Sequence, residues 1–156
     1  MADQLSEELI ALLNDQQTQK VLATVDENGA PHVVFKQSIH VAEDGNIHYL
    51  ELLESSRTNR NLVRAIWFDR KVSIVVKGAD KQSFQIKGQP IEVHVTGPLF
   101  EQHYASVRQK LGDVDLAGVW VIEPQEVINE HFLIRKADEE AKHPLFRHLD
   151  RLAKTT

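Results

Sequence analysis

The chain has 156 residues, of which 42% are hydrophobic and 26% charged, a size and balance typical of one soluble domain. Its formal net charge of −5 argues against a general nucleic-acid binder, because such proteins are usually basic. The absence of cysteine excludes disulfides, thiolate nucleophiles and cysteine-ligated metals. No signal-peptide pattern opens the chain, and no apolar run approaches the ~20 residues that span a bilayer, so we expect a cytoplasmic protein.

The N-terminal third of the sequence predicts a short helix followed by strands in hairpins. Ser6 can cap the helix, and leucines follow it at helical spacing. Residues 20–26 are rich in β-branched side chains, and the Asn28-Gly29 pair after them is the strongest hairpin signal in the chain. Further strands are expected at 31–41 and 47–53. Three strands joined by such tight turns are expected to be antiparallel neighbours.

The stretch Ser55-Ser56-Arg57-Thr58 lies where the third strand ends and a helix reaching Trp67 begins. The first N–H groups of a helix have no internal partner, and the helix dipole adds positive potential there. Together with hydroxyls and a guanidinium they make a site suited to a phosphate. The alternative is a serine helix cap beside a solvated arginine. Arg60 and Arg64 are spaced to share a helix face with Arg57. The three arginines either enlarge the anion site or form a solvated basic face.

The later part of the chain predicts four more strands, one long helix and a charged tail. Pro90 predicts a sheet edge or a bulge, because proline cannot donate to a strand ladder. The tail, residues 137–156, has apolar residues at helical spacing, and it packs on the strands, covers a cofactor site or contacts a second subunit. The expected elements before it are strands at 71–77, 83–96, 116–122 and 127–135 and a helix from Leu99 to Leu111.

Strands outnumber helices in this order and arrive in hairpins. The pattern favours a mainly β fold, an antiparallel β-barrel with peripheral α-helices, over a parallel α/β sheet. We expect the barrel domain to span residues 1–136 and a helical tail to span residues 137–156, packed on the barrel or on a dimer partner.

The sequence lacks the motifs of the common catalytic and nucleotide sites. It has no glycine-rich dinucleotide or phosphate-loop motif and no His-Glu-x-x-His pair, and Ser38 lacks the surroundings of a hydrolase nucleophile. His32, His40 and His48 lie on or beside the hairpin strands, where they either converge or, as we expect, lie scattered. A protein so equipped needs a bound cofactor for difficult chemistry.

The order of these motifs resembles the FMN-binding split barrels, the superfamily of pyridoxamine 5'-phosphate oxidase and the small bacterial FMN-binding proteins. The similarity rests on a strand, an Asn-Gly hairpin, two further strands and then Ser-Arg-Thr-x-x-Asn-Leu at residues 56–62, with Gly97-Pro98 before a later helix. The resemblance implies an antiparallel Greek-key split barrel, non-covalently bound FMN and a homodimer with two flavin sites at its interface.

The resemblance also implies roles for individual residues. Ser56, Arg57 and Thr58 match the triplet that clamps the FMN phosphate, and Ser55 and Asn61 are close enough to assist it. Ser83 lies near a position where relatives place a polar contact to the flavin ring. Either the Lys36 ammonium or a backbone N–H nearby is expected to stabilise negative charge on the reduced flavin. The residues matched to the strand that lines the ring are Val34, Phe35, Lys36, Gln37 and Ser38.

The function that the resemblance implies is that of an FMN flavoprotein, an oxidoreductase that passes electrons or a hydride through the bound flavin. Thr58 stands where the vitamin B6 oxidases have a lysine, and their C-terminal tryptophan is missing, which argues against that specific reaction. The alternatives are a non-enzymatic electron carrier, the same barrel with haem or a deazaflavin, and a binding module that has lost its ligand. No nucleic acid, membrane or metal is expected as a partner.

Overall fold

The computed structural model describes residues 4–144, which form one seven-stranded antiparallel sheet and four helices. The sheet curls into a half-barrel, and the fold is mainly β, as the sequence predicts. In chain order the elements are α1 (Glu7–Asn14), β1 (Gln19–Val25), β2 (Pro31–Phe35), β3 (His40–Val41), β4 (Ile47–Glu51), α2 (Arg57–Trp67), β5 (Val72–Lys77), β6 (Ser83–His94), α3 (Pro98–Leu111), β7 (Gly118–Asn129) and α4 (Phe132–Lys142).

The β1–β2 hairpin forms as the Asn28-Gly29 signal predicts. Gly29 has a φ of 78°, a conformation that glycine adopts without steric cost. The Asp26 carboxylate accepts hydrogen bonds from the N–H groups of Asn28 and Ala30, both at 2.9 Å, and these bonds fix the turn. The strand order is β2-β1-β5-β6-β7-β4-β3, so the hairpin places β2 at one edge of the sheet.

The chain after β2 differs from the continuous strand expected at 31–41. β2 ends at Phe35, and the chain then crosses to the opposite edge of the sheet, where the short β3 pairs with β4. β2 and β4 are therefore not neighbours, and the predicted meander of three adjacent strands is wrong. We call residues 36–39 the crossover segment. Its turn is closed by a hydrogen bond from Ile39 N to Lys36 O at 3.3 Å.

One long strand, β7, replaces the two strands expected on either side of Pro124. β7 continues through this residue although proline lacks the N–H that a strand ladder uses. A bulge absorbs the mismatch, since Lys87 pairs with Glu126 whereas the next residue of β6 pairs with Pro124 itself. A second bulge follows Pro90, as the sequence predicts.

The end of the last expected strand is helical instead. α4 begins at Phe132, and His131 caps it, because the Nδ1 atom of that histidine accepts a hydrogen bond from Leu133 N at 3.2 Å. The domain boundary expected after residue 136 falls inside α4, so the helix starts before the predicted tail. Residues 145–156, most of that tail, lie outside the described residues.

α1 and the sheet share one hydrophobic core. Leu9 and Leu13 of α1 are fully buried, and the largest apolar side chains beside them in the core are Tyr49 and Trp120. Ser6 caps α1 as predicted, its Oγ accepting a hydrogen bond from Leu9 N at 3.2 Å. Because α1 contacts both β3 and β5, it bridges two parts of the curled sheet that are not hydrogen-bonded neighbours.

Candidate functional site

The crossover segment forms one wall of a cavity of about 730 Å³. The other walls come from the end of β4 and the residues after it, from the residue that precedes α2, and from α3. Five residues that the resemblance assigns to FMN line this cavity, and they come from both predicted parts of the site. They are Phe35, Lys36, Gln37 and Ser38 on one side and Ser56 on the other.

The Gln37 side chain continues the pairing with β1 after β2 has ended. Its Nε2 donates to the carbonyls of Gln16 and Thr18, at 3.0 and 2.9 Å, and its Oε1 accepts from Lys20 N at 3.3 Å. The side-chain amide thus makes the hydrogen bonds that a strand backbone would make, and it stabilises the fold. The backbone N–H of Gln37, by contrast, has no acceptor within residues 4–144.

Ser38 joins the crossover segment to β4 in the same way. Its Oγ donates to Leu50 O at 3.2 Å and accepts from Leu50 N at 3.1 Å. The Ser38 hydroxyl is therefore also part of the fold, while its backbone N–H, like that of Gln37, finds no acceptor in the part of the chain that the structure describes. Gln37 and Ser38 both line the cavity, so these two N–H groups are candidate donors for the acceptor atoms of a ligand.

Lys20 is a buried cation that the sequence analysis missed. It lines the cavity, and its Nζ donates to Ile39 O at 2.9 Å and to Gln37 O at 3.3 Å. Burial lowers the pKa of this ammonium, an effect that the charge of Asp15 opposes. The sequence gives no signal for the role, because the partners are backbone carbonyls of a distant segment rather than side chains of a motif.

Lys36 and Glu51 form a charged pair in the cavity wall. Lys36 Nζ lies 3.7 Å from Glu51 Oε2 and 5.2 Å from the centre of the Tyr49 ring. The Glu51 side chain is only 1% exposed, and its Oε1 accepts a hydrogen bond from Leu53 N at 3.3 Å. Its Oε2 has no hydrogen-bond partner among the described residues, since 3.7 Å is too long for a hydrogen bond. Sequence analysis did not single out Glu51, because glutamates at strand ends usually face solvent.

The start of α2 has the composition predicted for a phosphate site. Ser56 caps the helix through its Oγ and also lines the cavity. Ser55 and Arg57 are exposed beside it, and the Arg57 side chain has no hydrogen bond or ion pair within residues 4–144. The pKa of the Asp26 carboxyl, on the neighbouring turn, is lowered mainly by a hydrogen bond from Ala30 N–H and in part by the charge of Arg57.

Thr58 and Asn61, the other two residues assigned to the phosphate, are buried and do not line the cavity. Asn61 Nδ2 donates to Thr24 Oγ1 on β1 at 2.9 Å. The bond anchors α2 to the sheet. Asn61 therefore holds against the sheet the helix that Ser56 caps and Arg57 begins.

Val34 and Ser83 also lie away from the cavity lining. Val34 is half-buried within β2 and pairs with Leu22 of β1. Ser83 begins β6 opposite Lys77, and two strands, β1 and β5, separate it from β2. The roles in ring binding assigned to these two residues stay predictions.

Three histidines come together where α3 meets the β3–β4 pair. The ring centre of His40 lies 5.8 Å from that of His48 and 5.6 Å from that of His103. Burial is the main cause that lowers the pKa of both His40 and His103. The expectation that the histidines lie scattered is therefore wrong for His40 and His48. No cluster within residues 4–144 has the composition and geometry of a metal site.

No protein-family model matches the sequence, and no curated protein matches it significantly. Solved structures do match its fold. HupZ from Group A Streptococcus gives a TM-score of 0.66 at 20% identity, over 82% of this chain and 95% of that one. A Lactobacillus delbrueckii protein, provisionally assigned as a pyridoxamine 5'-phosphate oxidase, gives 0.61 at 24% identity, over 80% and 93%. An FMN-binding protein from Syntrophomonas wolfei gives 0.62 at 15% identity, over 76% and 81%.

The chain is a split barrel. Proteins of this fold differ in the ligands that their descriptions name. Besides the FMN-binding protein, the matching structures include an F420 reductase at 14% identity and HutZ, the haem storage protein of Vibrio cholerae, at 17% identity. The similarity thus establishes the architecture, and the choice of ligand has to be argued from the residues of the cavity. None of the helices within residues 4–144 is both long enough and apolar enough to cross a membrane.

Proposed function

We propose that this split barrel binds FMN non-covalently in the cavity and passes electrons or a hydride through it. The observation that carries the proposal is a convergence. The segment expected to line the flavin ring and the helix start expected to hold the phosphate contribute to the same cavity, although β3 and β4 separate them in the chain. The flavin supplies the redox chemistry, and the protein supplies binding, orientation and electrostatics.

The phosphate is placed at the start of α2 in this proposal. Ser56 is in the cavity wall, Arg57 and Ser55 are exposed beside it, and the helix dipole adds positive potential. Arg57 is unpaired within residues 4–144, so it can bind a phosphate without first breaking an ion pair. Thr58 and Asn61 act indirectly in this arrangement, by packing α2 against the sheet.

The flavin ring is placed against the crossover segment. The unpaired N–H groups of Gln37 and Ser38 are donors that suit the carbonyl and nitrogen acceptors of the ring. Phe35 offers an exposed apolar surface to it. Lys36 supplies a positive charge that stabilises the negative charge acquired by a reduced ring. The donors and apolar surface of this wall therefore fit a flavin.

We also propose that two copies of the chain form a homodimer over this cavity. Three of its lining residues are large, apolar and mostly exposed in the single chain: Phe35 is 70%, Leu53 59% and Leu111 58% exposed. An exposed apolar rim of this kind is typical of a surface that a partner covers. Light scattering is expected to give twice the mass of one chain, and Leu53→Asp is expected to give the mass of a single chain. A wild-type protein with the single-chain mass would contradict the dimer.

Haem is a second candidate, and the positions of His40 and His103 favour it. Both histidines line the cavity, and burial lowers the pKa of each, which favours the neutral imidazole that binds iron. The buried Glu51 carboxylate in the same wall opposes this ligand, because haem carries carboxylates of its own. The helix start with Ser56 and Arg57 has no evident role with haem, so FMN accounts for more of the site.

The absorbance spectrum of the purified protein, before and after addition of FMN, tests the proposal. We expect flavin bands that stay with the protein through desalting. Consumption of NAD(P)H by the yellow protein separates an oxidoreductase from an electron carrier, which is reduced only by a partner. A haem or deazaflavin spectrum would show that the protein binds a different cofactor. A colourless protein that retains no added FMN would contradict the proposal.

A further inference from the structure

We propose that Glu51 and Lys36 together recognise a donor–acceptor edge of the ligand, with Glu51 Oε2 accepting a hydrogen bond from a ring N–H. The inference rests on the proposed function and names the part of the flavin that this pair contacts. It starts from one observation: Glu51 lines the cavity, and one of its two buried carboxylate oxygens has no hydrogen-bond partner within residues 4–144.

Hydrogen bonds to its backbone carbonyl and to Oε1 fix the position of Glu51. Glu51 is the last residue of β4 and pairs with Gly118 of β7, and its backbone carbonyl accepts from Ala117 N at 2.8 Å. Its Oε1 accepts from Leu53 N at 3.3 Å. Oε2 is left with Lys36 Nζ at 3.7 Å, so the position of the carboxylate is set by the fold before any ligand arrives.

A buried carboxylate oxygen without a hydrogen bond is unfavourable, because burial has removed the water that would otherwise donate to it. Lys36 compensates the charge at 3.7 Å but does not satisfy the acceptor. A ligand N–H group satisfies it once the neighbouring side chains move to admit the ligand, because this oxygen has almost no exposed surface. Lys36, which is 24% exposed, keeps ammonium hydrogens for an adjacent carbonyl of the same ligand.

The chemistry that fits this pair is an imide edge, in which one N–H lies between two carbonyls. The pyrimidine ring of a flavin presents N3–H between the carbonyls at C2 and C4. In this arrangement Glu51 accepts from N3–H, and Lys36 donates to one of the two carbonyls. A deazaflavin has the same edge, whereas haem offers no peripheral N–H, and its carboxylates are repelled by Glu51.

Titration with FMN and with 3-methyl-FMN tests the inference, because the methyl group replaces the N3 hydrogen and leaves the phosphate unchanged. We expect the wild-type protein to bind FMN about tenfold more tightly than 3-methyl-FMN, or better. In Glu51→Ala the two affinities become nearly equal. Glu54→Ala is the matched control, since it removes an exposed carboxylate three residues further along, and it is expected to keep the wild-type ratio.

The reduction potential of bound FMN gives a second measurement that a purely structural role of Glu51 would leave unchanged. Glu51→Gln removes the charge and keeps the size of the side chain. We expect it to raise the potential, because a carboxylate beside the ring opposes the gain of negative charge on reduction. Glu54→Gln, on the exposed side chain, is expected to leave the potential at the wild-type value.

The outcomes separate the two proposals. A wild-type protein that does not bind FMN overturns the proposed function and this inference together. A wild-type protein that binds FMN and 3-methyl-FMN equally, or a folded Glu51→Ala variant that keeps the wild-type ratio, overturns the inference alone. If circular dichroism shows that Glu51→Ala does not fold, the wild-type ratio and the potential of Glu51→Gln still decide.

Discussion

Ser38 Oγ donates a hydrogen bond to Leu50 O, at 3.2 Å, and accepts one from Leu50 N, at 3.1 Å. One hydroxyl thereby makes both of the bonds that a residue of a neighbouring strand would make. The contact holds the crossover segment against β4 at the point where both line the cavity. The side chain that joins these two parts of the fold therefore also sets the shape of the site.

Ser38→Ala is expected to lower the free energy of unfolding by about 1–3 kcal/mol, because it leaves the Leu50 N–H and C=O without their partner. Urea unfolding followed by circular dichroism measures this change. Ser55→Ala, at an exposed serine, is the control and is expected to change stability by less than about 0.5 kcal/mol. A Ser38→Ala variant as stable as the wild type would contradict the structural role of the hydroxyl.

The parts of the fold that the sequence predicts are those with local signals. The Asn28-Gly29 turn, the Ser6 cap and the bulge after Pro90 each depend on residues a few positions apart. The crossover segment could not be predicted in this way. In this segment the backbone no longer pairs as a strand. The side chains of Gln37 and Ser38 instead form hydrogen bonds to backbone groups 12 to 21 residues away.

The residues of the candidate site also differ in whether a local sequence motif could predict them. The motif residues Lys36 and Ser56 both line the cavity, and their roles in flavin binding stay predictions. Lys20, Glu51 and His103 were missed, because each reaches the cavity through tertiary contacts. A buried lysine or glutamate in a strand has no sequence signature that separates it from a solvated one, since burial depends on distant segments.

Arg57→Ala is expected to weaken FMN binding about tenfold, which corresponds to ~1.4 kcal/mol, because it removes a charge-assisted bond to the phosphate. Quenching of flavin fluorescence measures the dissociation constant. Arg60→Ala is the control with the same change in charge, at an exposed residue on the next turn of α2. Equal losses from the two substitutions would show that the charge of the helix matters and that Arg57 has no specific role.

Lys36→Ala is expected to make the reduction potential of bound FMN more negative, because the ammonium that stabilises the reduced ring is lost and the Glu51 carboxylate is left uncompensated. Spectroscopic titration against a reference dye measures the potential. Lys87→Ala, on β6 outside the cavity, is the control. An unchanged potential in Lys36→Ala would remove this residue from the account of the reduced flavin.

The stability of the chain is expected to fall as pH drops below the usual histidine pKa of 6.5. The pKa of His103 is lowered by burial and then by the charges of His40, His48 and Lys110, so the unfolded chain takes up this proton first as pH falls. His103→Gln should flatten part of that fall in urea unfolding between pH 8 and pH 5. If the free energy of unfolding of His103→Gln falls with pH as steeply as that of the wild type, the assignment of this pH dependence to His103 is contradicted.

In the proposed function, the start of α2 binds the phosphate of a flavin whose ring lies on the crossover segment. The most direct test is a comparison of the dissociation constants of FMN and riboflavin for the ligand-free wild-type protein, since the two differ only in the phosphate. We expect FMN to bind about tenfold more tightly than riboflavin, or better. Equal affinities, or no binding of FMN, would contradict it.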